Sequence, residues 1–274
     1  MATANEAVGT VVSLWCYPVK SMQGEELNAT EVTARGLLGD RAFALVAAAD
    51  GKVASAKNPR KWPDLLGFRA TFAEPPRGAG PLPPLRLTLT VGTALSGGQP
   101  DRDEVLSAAL GRAVALRSAA PTAPVLEEYW PDIAGLAHRD AVTEEAMPAG
   151  TFFDLATVHA LTTATIDRLR ELSPQGRFEV RRFRPNVVVA CTPPGGGFVE
   201  AGWVGRTLAL GDEVRLRVTG PCPRCVMTTL PQADLPKDPG ILRAAVQHNQ
   251  GNVGVYASVL RGGTVRRGDP VTLD

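Results

Sequence analysis

The sequence predicts a mainly β chain with a few helices, arranged as two β-barrel-like domains. Three observations predict it. Runs of strand length rich in β-branched residues recur along the chain, tight Asp-Gly and Gly-Asp turns separate them, and few stretches carry helical spacing. The length, 274 residues, suits one large domain or two closely joined ones. Hydrophobic residues make up 44% and aromatics only 5%, so the core must be built mostly from Val, Leu and Ala.

The elements follow in order. Residues 8–17 form a β-branched run that ends in the loop-like PVKSMQGEEL, and 28–35 is a short β-prone stretch. Residues 41–49 and 52–56 flank Asp50-Gly51, a turn whose positive φ suits the twist of a hairpin. The proline- and glycine-rich stretch 74–84 excludes regular structure. A strand over 85–91 precedes a helix over 101–110, with Asp101 as N-cap and Glu104 three residues on. Residues 117–150 lack periodicity and carry Pro121, Pro124, Pro131 and Pro148. This places an interdomain segment over 121–150, between a first domain at 1–120 and a second at 151–274.

In the second domain a strand over 157–161 leads to a helix over 164–172, capped by Thr162 or Thr163, with Ile166, Leu169 and Leu172 at spacing three. Residues 183–185 lead into a buried-type strand over 186–191. Gly211-Asp212 joins strands over 208–210 and 213–218. A helix over 240–247, a strand over 253–260, a turn at Gly262-Gly263 and a last strand over 271–273 complete the chain. Gly195-Gly196-Gly197 is expected to be a plain loop.

Several function classes are excluded by composition. The net charge of +1 lacks the basic excess of a nucleic-acid or membrane-surface binder. No apolar run approaches a membrane span, and MATANEAVGT has no signal-peptide pattern. Four cysteines make no disulfide framework, so a reduced, cytoplasmic setting is expected. Neither phosphate-binding glycine motif, nor G-x-S-x-G, nor H-E-x-x-H occurs.

Cys222-Pro223-Arg224-Cys225 is the sharpest chemical feature. It is open to four readings: half of a structural zinc site, a redox pair, a single thiolate activated by Arg224 as ligand or nucleophile, or one or both cysteines as small buried residues. Zinc lacks a second pair, and a redox pair lacks a following helix. Arg184-Pro185-Asn186 is the second feature. Pro185 biases Arg184 toward an extended conformation and so aims Arg184 and Asn186 at a strand start, where Arg suits a phosphate or a planar heterocycle. The third is Lys20-Ser21 at the end of the first strand, which with Arg41 of Gly39-Asp40-Arg41 can hold an anion. The second and third also read as ordinary turns.

Taken in order, YPVKS, GLLGDRAFALV, LTTATIDRL, RFRPNVVV, Trp203-Val204-Gly205 followed by LGD, PCPRCVMTT, VGVYASV and GDPV resemble the MOSC family with its N-terminal β-barrel domain. That group includes the mitochondrial amidoxime-reducing component and bacterial relatives. The resemblance spans about residues 8–273. It implies a molybdenum cofactor, Mo-molybdopterin, with Cys225 as the metal's protein ligand. It implies pterin and phosphate contacts from Lys20, Ser21, Arg41, Thr162, Arg184, Asn186 and Arg224. The implied activity is reduction of small N-hydroxylated compounds such as amidoximes and hydroxylamines. The alternative is a sulfur carrier with a Cys225 persulfide, or a protein that binds and delivers the cofactor. The pyridoxal-phosphate sulfurase domain found fused to some MOSC modules has no counterpart here. The sequence carries no nicotinamide, flavin or iron–sulfur motif, so electrons are expected from a separate ferredoxin-like or cytochrome b5-like donor with its reductase. Cys222 has no part in the ligand role.

Overall fold

The computed structural model describes residues 6–78, 80–90, 92–192 and 196–274. Among these residues it is mainly β with four α-helices, and its centre is a closed barrel of seven strands. In hydrogen-bonded order these are Val187–Cys191, Val158–Thr162, Asn252–Arg261, Val214–Pro223, Thr207–Leu210, Pro270–Leu273 and Glu6–Cys16, and the last pairs again with the first. Alternation sets the inside: Val214, Leu216 and Val218 are buried while Arg217 and Thr219 face outward. The first strand therefore closes a barrel whose other strands all come from the second half of the chain. Close approach at that seam requires Gly9, since a Cβ there would lie 2.1 Å from the Ala190 carbonyl oxygen.

All pairs in the barrel are antiparallel except Val158–Thr162 with Val187–Cys191. Parallel strands need a crossover. Here it carries the helices Thr163–Leu172 and Val180–Phe183, and the first packs Ile166 and Leu169 against Ile241 and Ala245 of the helix Gly240–Asn249. Thr162 is the N-cap, its Oγ1 accepting the Thr165 N–H.

The first half is built from short antiparallel sheets around a second core that includes Met22, Leu45, Trp62, Phe68 and Leu87. Ala29–Thr33 pairs with Gly36–Leu37 and, from the far end of the chain, with Gly263–Arg266. Ala44–Ala47 turns at Asp50-Gly51 as expected, but bridges back only at Val46 and Val53; its regular partner is Val114–Arg117. The helix Arg102–Leu110 starts at Asp101 without the expected side-chain cap, because the Asp101 carboxylate accepts from Gln99 instead. Residues 117–150 are more regular than expected, for Val125–Trp130 and Ala141–Ala146 form a six-pair hairpin. Its half-exposed strands lack the apolar alternation that would reveal them. The irregular stretch 74–84 holds no helix or strand among its described residues. Residue 91, and the Gly195 end of the triple-glycine loop, lie outside the described residues. No helix among those described is long and apolar enough to cross a membrane.

Candidate functional site

Four turns meet at the junction of the barrel and the first-half sheets. The turn after Glu6–Cys16 is zipped to the turn before Ala44–Ala47: Arg41 N–H donates to Tyr17 O at 2.8 Å, Phe43 N–H to Pro18 O at 3.0 Å and Lys20 N–H to Phe43 O at 2.9 Å. The third turn ends the short helix Val180–Phe183, and the fourth follows Val214–Pro223. They bring Lys20, Ser21, Arg41, Arg184, Asn186, Arg224 and Cys225 to one cavity. Lys57, Asp154, His159 and Tyr256 share its wall.

Three of these residues hold a left-handed backbone: Ser21 (φ 63°), Arg41 (φ 47°) and Arg184 (φ 54°). Such conformations cost non-glycine residues of order 1–3 kcal/mol and collect at ligand clamps. The extended conformation expected of Arg184 before Pro185 is not found. Arg184 is the left-handed C-cap of Val180–Phe183, a helix end that commonly precedes proline.

Asp40 organises one end. Its Oδ1 accepts the Tyr17 N–H at 2.8 Å, and its Oδ2 accepts from Arg41 and from Asn186 Nδ2, the latter at 3.0 Å. Asn186 also donates to Trp15 O and accepts the His159 N–H, so both its donors are spent on holding the strands. The guanidinium carbons of Arg41 and Arg184 lie 4.4 and 4.2 Å from the Tyr17 ring centre. Arg184 donates to Met22 O at 2.6 Å, and no carboxylate among the described residues pairs with it. Burial, and then the neighbouring Arg41, pull its pKa down to about 10. Ser21 Oγ accepts the Ala56 N–H and keeps its own proton to donate.

Along the wall, Lys20 donates to Phe152 O and Asp154, and Lys57 donates to Glu128 at 2.9 Å with Asp154 3.7 Å away. Burial would raise the Asp154 carboxyl, but the two ammonium groups hold it well below the usual range. Burial, helped by the neighbouring Lys57 and Arg41, pulls Lys20 down, against the pull of Asp154.

At the sulfur end, Cys225 opens the short 3-10 turn Val226–Thr229. Arg182, fully buried, donates to the carbonyls of Thr228, Leu230 and Pro236 and so locks this turn to the Arg184 turn. Burial and Glu128 push the Cys225 thiol up to about 11, against Lys57 and Arg224. A free thiolate activated by Arg224 is therefore not what the protein alone provides; Arg224 Nη1 donates to Cys222 Sγ at 2.7 Å instead. No cluster of three or more potential metal-ligating side chains exists among the described residues, which leaves the zinc reading without ligands. His159, buried with Nε2 3.1 Å from Val253 O, is held neutral by burial and by Arg224. Next to His159, Gly254 (φ +84°) admits no side chain, since a Cβ there would sit 2.3 Å from His159 Nε2.

Thr162 does not line the cavity. Its hydroxyl donates to Glu200 at 2.7 Å and caps the helix behind it. Sequence reasoning missed Lys57, Asp154, His159, Tyr17 and Tyr256. Tyr17 adjoins a motif already noted; Lys57 and Asp154 sit in turns with no local signal.

The family model described as MOSC domain matches residues 149–272, and that described as MOSC N-terminal beta barrel domain matches residues 8–91. No curated protein matches the chain. Among solved structures it is similar to the YUAD protein of Bacillus subtilis, at 13% identity and a TM-score of 0.49, over 98% of this chain and 97% of that one. It is also similar to YiiM of Geobacillus stearothermophilus, at 18% identity and a TM-score of 0.33, over 43% and 54% of the two chains. Neither likeness is close enough to carry an argument.

Proposed function

Since the chain belongs to the MOSC family, with its N-terminal barrel domain ahead of the MOSC domain, we propose that it is a molybdenum-cofactor oxidoreductase that reduces N-hydroxylated compounds. MOSC domains are associated in general with binding of that cofactor. The observation that carries the reading is the convergence of one cysteine and five cationic side chains, Lys20, Arg41, Lys57, Arg184 and Arg224, on a single cavity.

The donor set fits the group. A molybdenum dithiolene with an anionic phosphate and a hydrogen-bonding pterin calls for a soft thiolate, cations and directed N–H donors. Cys225 offers the sulfur. Among the described residues, Arg184 is a buried guanidinium without a carboxylate, and Arg224 Nε is a buried N–H without a partner. Both lack what an anionic ligand supplies.

In this reading Cys225 is the protein ligand of the metal, and the metal's charge offsets the burial that opposes its deprotonation. Lys20, Ser21, Arg41 and Arg184 hold the phosphate. Asn186, through Asp40, keeps Tyr17 and the two guanidinium groups in place, and Thr162 anchors the helix behind. When bound, molybdenum supplies the two-electron chemistry that removes oxygen from an N–O bond. Leu155, 62% exposed, and Asp154 stand at the mouth where a small substrate enters. Electrons come from a separate donor protein.

Protein expressed with molybdate should contain stoichiometric molybdenum and reduce an amidoxime with reduced viologen dye, but not with NADH or NADPH alone. Cys225→Ser should lose metal and activity together; Cys222→Ser should keep the metal. One extra sulfur on Cys225 in protein free of molybdenum would replace this reading with that of a sulfur carrier. Neither molybdenum nor sulfur would leave a pterin-binding module at most.

A further inference from the structure

Cys222 has no role in the reading above, yet it is not simple packing. Its side chain is fully buried, but it belongs to none of the apolar clusters formed by the described residues. Its sulfur accepts from Arg224 Nη1 at 2.7 Å. The other terminal nitrogen of Arg224, Nη2, donates to Phe183 O at 2.8 Å. The backbone is pinned as well, with the Arg224 N–H donating to Gly251 O at 2.8 Å.

Both ends of the guanidinium fork are thus held by the protein. The remaining nitrogen, Nε, is buried and has no acceptor among the described residues. Buried N–H groups are nearly always paired, and a charged one is the costliest to leave alone. Arg224 lines the cavity next to Cys225. We propose that Cys222 is a positioning residue: with the Phe183 carbonyl it clamps Arg224, so that the Nε–H is left as a directed donor to acceptor atoms of the ligand bound beside the Cys225 sulfur. That ligand is the cofactor of the preceding section, so this half of the inference rests on that reading. The clamp itself does not.

The chemistry explains the residue type. Position 222 needs a compact acceptor inside a strand that pairs on both sides of it, at Pro221 with Val255 and at Pro223 with Asn252. Sulfur is small enough to be buried there and polarisable enough to face a guanidinium. Serine keeps an acceptor; alanine and valine do not.

The clamp is read in protein labelled with [15N]arginine. The Arg224 Nε–H signal is the one lost in Arg224→Lys. In the wild type it should exchange slowly with solvent. In Cys222→Ala its exchange should accelerate by roughly tenfold or more, while Cys222→Ser should stay within about twofold of wild type, as expected for loss or retention of one charge-assisted bond. Cys222→Val, which fills the volume without an acceptor, replaces the alanine variant if that chain does not fold. Thermal unfolding measured alongside separates the clamp from mere packing, since lost packing lowers the melting temperature without singling out this N–H. In molybdenum-loaded protein the same signal should shift, and metal retention through dialysis should fall in Cys222→Ala but not in Cys222→Ser. An unchanged signal in Cys222→Ala, or equal behaviour of Ala and Ser, overturns the clamp. A loaded protein in which the signal does not move overturns the donor role. Wild-type protein without molybdenum refutes the cofactor reading instead, and the exchange measurement still decides the clamp.

Discussion

Arg184→Met separates what this guanidinium does for the ligand from what it does for the fold. Arg184 is 7% exposed, and burial and the nearby Arg41 pull its pKa from the ordinary guanidinium value down to about 10. That drop corresponds to a penalty of about 3 kcal/mol for keeping the charge inside the ligand-free protein. The hydrogen bond to Met22 O returns about 1.5–3 kcal/mol, and the stack on Tyr17 about 1 kcal/mol. Gains and penalty nearly cancel. Methionine keeps most of the volume, sheds the charge, and meets the same left-handed backbone cost, so the ligand-free variant should melt within a few degrees of wild type. Binding is different: an anion loses a charge-assisted contact of about 1.5–3 kcal/mol, or roughly tenfold to hundredfold in retention. The sign in pH is also set. A cation with a lowered folded pKa costs stability at every pH below about 10, and the cost fades only as pH climbs from there toward the ordinary guanidinium value. The stability difference between variant and wild type should therefore be flat from pH 6 to 9. The assay is thermal unfolding of ligand-free protein beside molybdenum content after dialysis. Full metal content in the variant, or a large loss of ligand-free stability with the metal retained, would refute the reasoning.

Three other outcomes follow from the cavity wall and the strand that pairs beside His159. His159 is held neutral, its folded pKa well below 6.5, so the folded state resists a proton that the unfolded chain accepts; stability should decline as pH falls below about 6.5, and His159→Gln should flatten that slope in urea titrations. Asp154 has the depressed carboxyl, so its contribution is present above about pH 4 and is lost on acidification. Asp154→Asn should cost only about 1 kcal/mol at neutral pH, because the side chain is a third exposed, and urea unfolding at pH 7 and pH 3 should show the difference shrink. Gly254→Ala adds a Cβ 2.3 Å from His159 Nε2 at a φ of +84°, and should cost about 2 kcal/mol or more in ligand-free stability; a melting temperature equal to wild type would mean that His159 gives way.

Much of this protein is legible in its sequence, for local reasons. Strand alternation, the Asp50-Gly51 and Gly211-Asp212 turns and the Thr162 cap depend on neighbours within a few residues, and each forms where its pattern stands. The motifs around Lys20, Arg41, Arg184 and Arg224 are legible too, because each turn carries its own proline, glycine or cysteine signature. Local signal failed where partners are distant. The hairpin of Val125–Trp130 and Ala141–Ala146 is held by pairing rather than by an apolar stripe, and Arg184 takes its conformation from a short helix that its own dipeptide does not announce.

Composition and order of motifs alone determined that the chain is mainly β and marked several charged turns and one Cys-Pro-Arg-Cys stretch as the candidates for its chemistry. Tertiary structure alone decided that Glu6–Cys16 closes the barrel of the second half and that Gly263–Arg266 returns to the first. It alone brought Lys57 and Asp154 beside Cys225 and Lys20, and aimed Arg224 at Cys222 rather than at Cys225. The physical reason is range. Dihedral preference and side-chain periodicity act within one turn or strand and are written residue by residue, whereas burial, ion pairing and the choice of hydrogen-bond partner depend on groups tens to hundreds of residues apart, which only the closed barrel makes neighbours.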